Sequence, residues 1–161
     1  MNSPQVIKLV HNIVSSSPKL AGVKEWNQAN SLLTLASPGG SIGVEKEVFE
    51  AYTRDDDEAT AYMSIVIWVK NADPVAGEAA VRALAQAARA VLNQNRTLAG
   101  AVADSFVYSI TYATADGGKS LLLHLAELDY RVTYYAARIS QDIQAEAPAV
   151  TTMNRELMSY E

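Results

Sequence analysis

Four consecutive acidic residues, Asp55, Asp56, Asp57 and Glu58, are the densest group of possible metal ligands in this sequence. Carboxylate oxygens are the ligands that Mg²⁺ and Ca²⁺ prefer in proteins. A calcium loop, however, spaces its acidic residues and places a glycine at the bend, and this run has neither feature. The run therefore favours a solvated turn over a metal site.

Two other groups of residues suggest catalysis only weakly. His11 and His124 have no cysteine or second histidine at ligand spacing, and the sequence has no Gly-x-Ser-x-Gly nucleophile turn. Glu127 and Asp129 would lie on the same side of a strand, as a small enzyme using carboxylates would require, but such outward pairs are commonly just solvated. These motifs therefore single out no catalytic residue and no metal site.

Glycines and tyrosines could serve binding. The segment Gly39–Gly43 invites comparison with a phosphate-binding loop, but it lacks the Gly-Lys-Ser/Thr ending and the helix that should follow, so a flexible turn is predicted. Five tyrosines could form a stacking platform for single-stranded nucleic acid: Tyr108, Tyr112, Tyr130, Tyr134 and Tyr135. Because no lysines accompany them, core, sheet-surface or subunit-contact positions are favoured.

Composition narrows the class of protein. The chain has 161 residues, the length of one domain, and is 49% apolar and 19% charged, which is a globular balance. A net charge of -5 argues against sequence-independent binding to the phosphate backbone of nucleic acids. The absence of cysteine excludes disulfides and thiol catalysis. No signal peptide or membrane span is recognisable, so a soluble protein with no membrane partner is predicted.

Two helices are predicted from their caps and periodicity. Ser3 as N-cap and Pro4 precede Val6, Val10 and Val14, a short amphipathic pattern that ends at Ser15–Pro18. A longer helix begins at Asp73 and Pro74, reaches about Leu92 and closes over 93–100. Its predicted buried stripe is Ala80, Leu84, Ala87, Ala88 and Val91, with Arg82, Gln86 and Arg89 turned outward.

Strands are predicted from period-two alternation. Val44 to Tyr52 and Tyr62 to Val69 form two strands joined at Arg54–Glu58, and the second, apolar on both faces, should be central in its sheet. A further short strand is predicted near Leu32 to Ala36. Phe106–Tyr112 and Ala126–Ala136 form an antiparallel hairpin with a turn at Ala115–Gly118.

This order predicts an α+β fold with a mostly antiparallel sheet and helices packed on one face. Residues 1–138 form the predicted single domain. Residues 139–161 are predicted to be a C-terminal arm or tail that a neighbour orders, because they turn polar and break at Pro148.

Several segments together resemble the tail terminator, or tail completion, proteins of long-tailed bacteriophages and prophages. These segments are Ala87–Leu92, Asn95–Gly100, Phe106–Tyr112 and Leu125–Tyr134. In that family a helix ends in a Thr-Leu-Gly-Gly-like turn before a hairpin whose last strand is similar in pattern. Here Ala99 replaces the first glycine, and the match covers about residues 44–138.

The resemblance implies a subunit that assembles as a ring, often a hexamer, on the last ring of tail-tube protein. Such a ring halts tube growth and offers a docking face for the head-completion or connector protein, with no catalysis and no cofactor. These proteins can stay monomeric until they reach the tail tip. The implied location is the virion tail, and the host cytoplasm during assembly.

The exposed loops are the predicted partner or subunit contacts: Arg54, Asp55, Asp56, Asp57, Glu58, Asp116 and Lys119. The acidic composition suits a channel that DNA passes without sticking. The alternative is a ferredoxin-like domain that binds a small ligand, which predicts a defined pocket with convergent polar groups and a stable dimer. No sequence-specific nucleic-acid binding is expected under either interpretation.

Overall fold

A computed structural model describes residues 1–29 and 36–138. The predicted strand near Leu32 falls outside these residues except for Ala36, and the predicted arm over 139–161 lies wholly outside them. The elements are α1 (Ser3–Ser16), a 3₁₀ turn (Pro18–Leu20), β1 (Glu25–Asn27), β2 (Gly39–Ala51), β3 (Asp56–Asn71), α2 (Pro74–Gln94), β4 (Asp104–Gly118) and β5 (Leu121–Ala137).

The five strands form one sheet in the order β1-β2-β3-β5-β4. All neighbouring pairs are antiparallel except β1 with β2. Both helices pack on one face, where α1 lies against β2 and α2 lies against β3, β4 and β5. The predicted α+β fold is confirmed, and so is the central position of the strand that contains Ile65 and Ile67.

The core lies between the helices and this face of the sheet. Along β5 the side chains alternate as predicted, and the buried set is Ala126, Leu128, Tyr130, Val132 and Tyr134. The facing residues of β3 are buried too, namely Ala59, Ala61, Met63, Ile65, Ile67 and Val69. Burial of this apolar surface is what holds the helices on the sheet.

Helix α1 begins one residue earlier than predicted. Asn2, not Ser3, is the N-cap: its side-chain oxygen accepts a 3.0 Å hydrogen bond from the Gln5 amide, and the Gln5 side chain accepts one of 2.9 Å from the Asn2 amide. This reciprocal capping box satisfies two backbone donors and leaves Ser3 inside the first turn.

Helix α2 starts as predicted, since Asp73 accepts hydrogen bonds from the Val75 and Ala76 amides. The predicted stripe faces the core. Ala88 and Val91 are buried, and Ala80, Leu84 and Ala87 are partly buried and pack against the core. The remaining buried positions are Gly77, Val81, Ala85 and Leu92. The face of the helix that meets the sheet includes Gly77, which lies against the imidazole of His124. A side chain at residue 77 would overlap this ring.

The flexible turn predicted at Gly39–Gly43 is wrong, because these residues begin β2 and are buried. A Cβ atom on Gly39 would overlap the indole of Trp68, and one on Gly40 would overlap that of Trp26. The glycines are therefore strand residues that make room for two tryptophans on the neighbouring strands.

The last hairpin is confirmed, but its turn lies further along than predicted. Ala115–Gly118 belong to β4, and the two-residue turn is Lys119–Ser120, with φ of 52° and 62°. Both residues occupy the left-handed region, as a tight hairpin turn that matches the twist of its strands requires. Lysine and serine are unusual in the left-handed region, whereas glycine is common in it. The prediction therefore placed the turn at the glycines that precede them.

Candidate functional site

The β2–β3 hairpin carries most of the predicted contact residues. Arg54 and Asp55 lie in the turn and are exposed, whereas Asp56, Asp57 and Glu58 are the first residues of β3. The acidic joint is thus shorter than predicted, because the strand extends through three of its carboxylates. Asp57 and Glu58 are half-buried, and Asp56 is exposed.

Arg138, directly after β5, holds this turn in place. Its guanidinium donates to the carbonyl oxygens of Thr53 and Arg54, at 2.9 and 2.8 Å, and to Oδ1 of Asp57, at 3.0 and 2.9 Å. Its backbone amide donates to the carbonyl of Asp55. The planar guanidinium, which offers five donors, suits this convergence of acceptors. One cation, on the residue that follows β5, therefore holds the acidic turn between β2 and β3 in place.

Exposed aromatic side chains surround the same turn. Phe49, Tyr52 and Tyr135 are 53%, 59% and 43% exposed, and the rings of Tyr52 and Tyr135 lie 4.6 Å apart. Large aromatic residues with this exposure are the type enriched in protein interfaces. We call Phe49, Tyr52 and Tyr135 the tip aromatics.

The end of the sheet that carries the β2–β3 turn, which we call the tip, extends beyond the end of helix α2. Arg96, just after that helix, forms an ion pair of 2.8 Å with Asp104, and Asp104 lies opposite Thr133 in the sheet. Strand β5 runs four residues further, to Ala137, and β3 accompanies it. At about 3.3 Å per residue, the tip projects about 13 Å past the level of the helix end.

The other two predicted contact residues lie at the opposite end of the sheet. Asp116 accepts a 2.9 Å hydrogen bond from the amide of Gly118, and Lys119 is exposed in the β4–β5 turn. Asn71 pairs with Leu122 at this end, and Asp56 pairs with Ala137 at the other. The two groups are therefore separated by the length of β3, about 50 Å, and the structure does not bring them together.

The sheet has two dissimilar free edges among the described residues. Strand β4 is outermost on one side along its whole length. On the other side β1 pairs only with Gly39, Gly40 and Ser41, so the segment Ile42–Ala51 of β2 has no outer neighbour in the described part of the chain. Unpaired edges present backbone donors and acceptors to a partner strand.

The face of the sheet opposite the helices carries Glu127 and Asp129. Ser64 donates a 2.8 Å hydrogen bond to Glu127, and Ser109 donates a hydrogen bond to Asp129. Arg131 places its guanidinium 4.6 Å from the centre of the Phe106 ring on the same face. The two carboxylates lie on one side as predicted, and each is engaged by a serine of a neighbouring strand.

The remaining candidates are distributed. His124 is buried, with Nε2 3.3 Å from the Asn71 carbonyl and Nδ1 3.4 Å from the Thr114 hydroxyl, while His11 is half-buried. Within residues 1–29 and 36–138, no three His, Asp or Glu side chains come together as a metal site. In that same part of the chain, no helix is both long and apolar enough to cross a membrane.

The five tyrosines do not form one platform. Tyr130 and Tyr134 are buried on the helix side, Tyr112 is half-buried, and Tyr108 and Tyr135 are exposed.

A groove of about 430 Å³ lies between the C-terminal ends of α1 and α2. Two of its polar side chains are already engaged, since Ser16 donates to the Asn12 carbonyl and Asn95 donates to that of Val91.

Sequence reasoning missed Arg138, Phe49 and Tyr52 as parts of the tip. Arg138 follows the last alternating residue of β5, so only the pairing of β5 with β3 brings it to the turn. Phe49 and Tyr52 looked like ordinary strand residues. The glutamates around them indicated their exposure. A strand segment with many charged side chains lies mostly in solvent, so the aromatic residues within it are exposed as well.

Comparison with known proteins finds similarity at the level of the fold. No family model and no curated protein matches the chain. Among solved structures, the chain is similar to a chain of the "Virion of native gene transfer agent (GTA) particle", with a TM-score of 0.50 and 14% identity. The alignment covers 81% of this chain and 95% of that chain. At this identity the match establishes a shared fold: nearly the whole of that virion chain has the architecture found here.

Proposed function

We propose that the protein is a structural component of a phage-like particle, and specifically a tail terminator that caps the tail tube as a ring. The observation that carries the proposal is the shared fold with a chain of a gene transfer agent particle, over almost the entire length of that chain. The tail-terminator resemblance of residues 44–138 supplies the finer assignment. The protein's location would then be the virion tail.

The distribution of contact features supports this role. The tip, with Arg54–Glu58 and the tip aromatics, lies at one end of the long strands, and Asp116 and Lys119 lie at the other. A terminator ring must meet the last ring of tail-tube protein on one side and the head-completion or connector protein on the other. Two separated contact regions at opposite ends of one subunit suit that double task.

Within the proposed ring, the aromatic tip is the better candidate for the tail-tube contact. Buried aromatic anchors carry most of the binding free energy in protein interfaces, whereas exposed charges contribute less. Tyr52 and Tyr135 already contact one another, so little side-chain entropy remains to be lost when a partner covers them.

The test is the length of tail tubes polymerised with and without the protein, measured by electron microscopy. The intact protein should arrest elongation at sub-stoichiometric amounts. The Tyr52→Ser/Tyr135→Ser variant should lose arrest while keeping its folded stability, and Val75→Ser, which removes an exposed apolar side chain at the start of α2, far from the tip, is the matched control. Tubes of unchanged length in the presence of the intact protein would refute the proposal.

A further inference from the structure

The two edges of the sheet that are free among the described residues differ in sequence and in shape. Helix α2 borders the outer edge of β4, where the lining of a groove of about 270 Å³ includes Gln86, Arg89, Tyr108 and Ser109. The free segment of β2 is residues 42–51, which we call the β2 margin. A contact between unlike surfaces is heterologous, and repetition of such a contact closes a ring when the rotation allows it.

Strand directions permit the two edges to pair. Because β2-β3, β3-β5 and β5-β4 are all antiparallel, β2 and β4 run in opposite directions within one subunit. When copies stand side by side around an axis parallel to the strands, β4 of one copy meets the β2 margin of the next in antiparallel orientation. The alternation of the sheet then continues across the subunit boundary without interruption.

The charges of the two edges are complementary. Arg82 and Arg89 lie two turns apart on α2 and therefore on one side of the helix, and Arg96 follows just after its end. Glu78 pairs with Arg82 and Asp104 pairs with Arg96, and Arg89 makes no ion pair with the described residues. This border therefore has three arginines against two carboxylates.

The β2 margin has the opposite sign. It carries Glu45, Glu47 and Glu50 against Lys46, and all four side chains are exposed. Glu47 lies opposite the buried Ala61 and so points to the helix side of the sheet, the side on which Arg89 lies.

We propose that the partner of each edge is a second copy of this chain, with β4 of one subunit adding to the β2 margin of the next and Arg89 facing Glu47 across the boundary. The sheet of the ring would then be continuous and would have no free edge at these strands. This inference rests on the proposed ring, and it adds which surfaces join its subunits.

Cross-linking tests the pairing directly, because the natural chain contains no cysteine. Lys46→Cys and Tyr108→Cys place single thiols on the β2 margin and on β4, at nearly the same height along the strands, because Lys46 is level with Phe106 across the sheet. With a short bifunctional thiol reagent, the double variant should give a ladder of covalent oligomers that ends at the ring size. Each single variant should stay monomeric, since its thiol faces a surface without one.

Two results would overturn the inference. Dimers from Tyr108→Cys alone, at the yield of the double variant, would mean that two β4 edges pair with each other. The absence of a ladder at every protein concentration, with tail tubes present as well as without them, would mean that the edges do not meet.

Charge reversal tests the proposed ion pair. Arg89→Glu and Glu47→Lys should each lower the yield of cross-linked oligomer about tenfold, and the two changes together should restore it. Lys8→Glu, the same change of charge at an exposed position of α1, is the control for Arg89→Glu. Tyr134→Phe, which removes the intramolecular partner of Glu47, is the control for Glu47→Lys. Failure of the double reversal to restore assembly would contradict the pairing of these two residues.

The inference and the proposed function fail in different ways. A heterologous ladder together with tubes of unchanged length would support the edge pairing and refute the terminator role. Arrest of tube growth together with dimers from Tyr108→Cys alone would support the role and refute this pairing.

Discussion

The hydroxyl of Tyr134 donates a 2.9 Å hydrogen bond to the carboxylate of Glu47, and thereby joins β5 to β2 across the intervening strand β3. The bond is possible because Ala59 and Ala61, the β3 residues opposite Tyr134 and Val132, have small side chains. A polar contact thus ties together three strands near the projecting tip.

Removal of this bond should cost modest stability. Tyr134→Phe and Glu47→Ala should each lower the free energy of unfolding by about 1–2 kcal/mol, because a hydrogen bond to a charged acceptor is lost while the ring of Tyr134 stays packed in the first variant. The double variant should lose little more than either single one. Urea denaturation of the four proteins measures the coupling, and fully additive losses would mean that the two residues act independently.

Stability should decline in alkaline solution. Burial raises the pKa of Tyr130 to about 12, and burial together with Glu47 raises the pKa of Tyr134 above its ordinary value. The folded state therefore keeps these phenols protonated at a pH where the unfolded chain loses the protons. The stabilisation is complete below about pH 10, the unfolded pKa, and is lost as the pH rises through the folded values.

The measurement is the urea midpoint between pH 9 and about pH 12. Tyr130→Phe should flatten the decline by about 2–3 kcal/mol over this interval. Val132→Ala, which removes buried apolar surface but no phenol, should lower stability without changing its pH dependence. A variant Tyr130→Phe with the slope of the intact protein would show that Tyr130 does not carry the effect.

Gly77 should resist replacement although it lies inside a helix. Alanine has the better helix propensity by about 1 kcal/mol, but a methyl group at residue 77 would overlap the buried ring of His124. We expect Gly77→Ala to destabilise the protein by about 1–3 kcal/mol through overpacking. Thermal or urea unfolding measures this.

A second glycine provides the matched control. Nothing lies within 4 Å of a Cβ placed on Gly22, so Gly22→Ala should be neutral or mildly stabilising. Addition of His124→Ala to Gly77→Ala should recover part of the loss. Equal stability of the Gly77→Ala variant and the intact protein would mean that α2 and β5 separate easily at this point.

Arg138→Ala should loosen the β2–β3 turn without unfolding the domain. The guanidinium is 42% exposed, so its ion pair with Asp57 contributes less than about 1 kcal/mol to global stability. Locally, the carbonyls of Thr53 and Arg54 lose their donor. The amides of Tyr52 and Thr53, which donate to the Asp56 carbonyl, should exchange hydrogen faster.

The comparison variant for that experiment is Arg54→Ala, in the same turn. Hydrogen exchange resolved by residue should rise in Arg138→Ala and stay unchanged in Arg54→Ala. Similar exchange in both variants would show that the turn is held by its own backbone hydrogen bonds.

Much of the fold could be predicted because its signals are local. The cap of α2 at Asp73, the central position of the strand around Ile65 and the alternation of β5 each follow from residues close in sequence. The failures share a different origin. Gly39 and Gly77 have their roles through Trp68 and His124, which are distant in sequence, so their local pattern suggested a turn in one case and an unremarkable helix position in the other.

The candidate surface was harder to predict for the same reason. The acidic residues at 55–58 indicated an exposed hairpin, and the structure places Arg54 and Asp55 in its turn. Arg138, which fixes that turn, comes from the end of β5, and the charge relationship between Arg89 and Glu47 appears only when both edges of the sheet are known. Neither partner has a sequence motif that marks it.

Strands β3 and β5 run the full distance between the two turns, side by side over sixteen paired positions from Asp56 with Ala137 to Asn71 with Leu122. A pull applied between the turns would act along these strands, so their interstrand hydrogen bonds would share the load in shear and would not open one after another. A subunit held at both ends, as in the ring proposed above, would therefore transmit tension along its length without its strands separating.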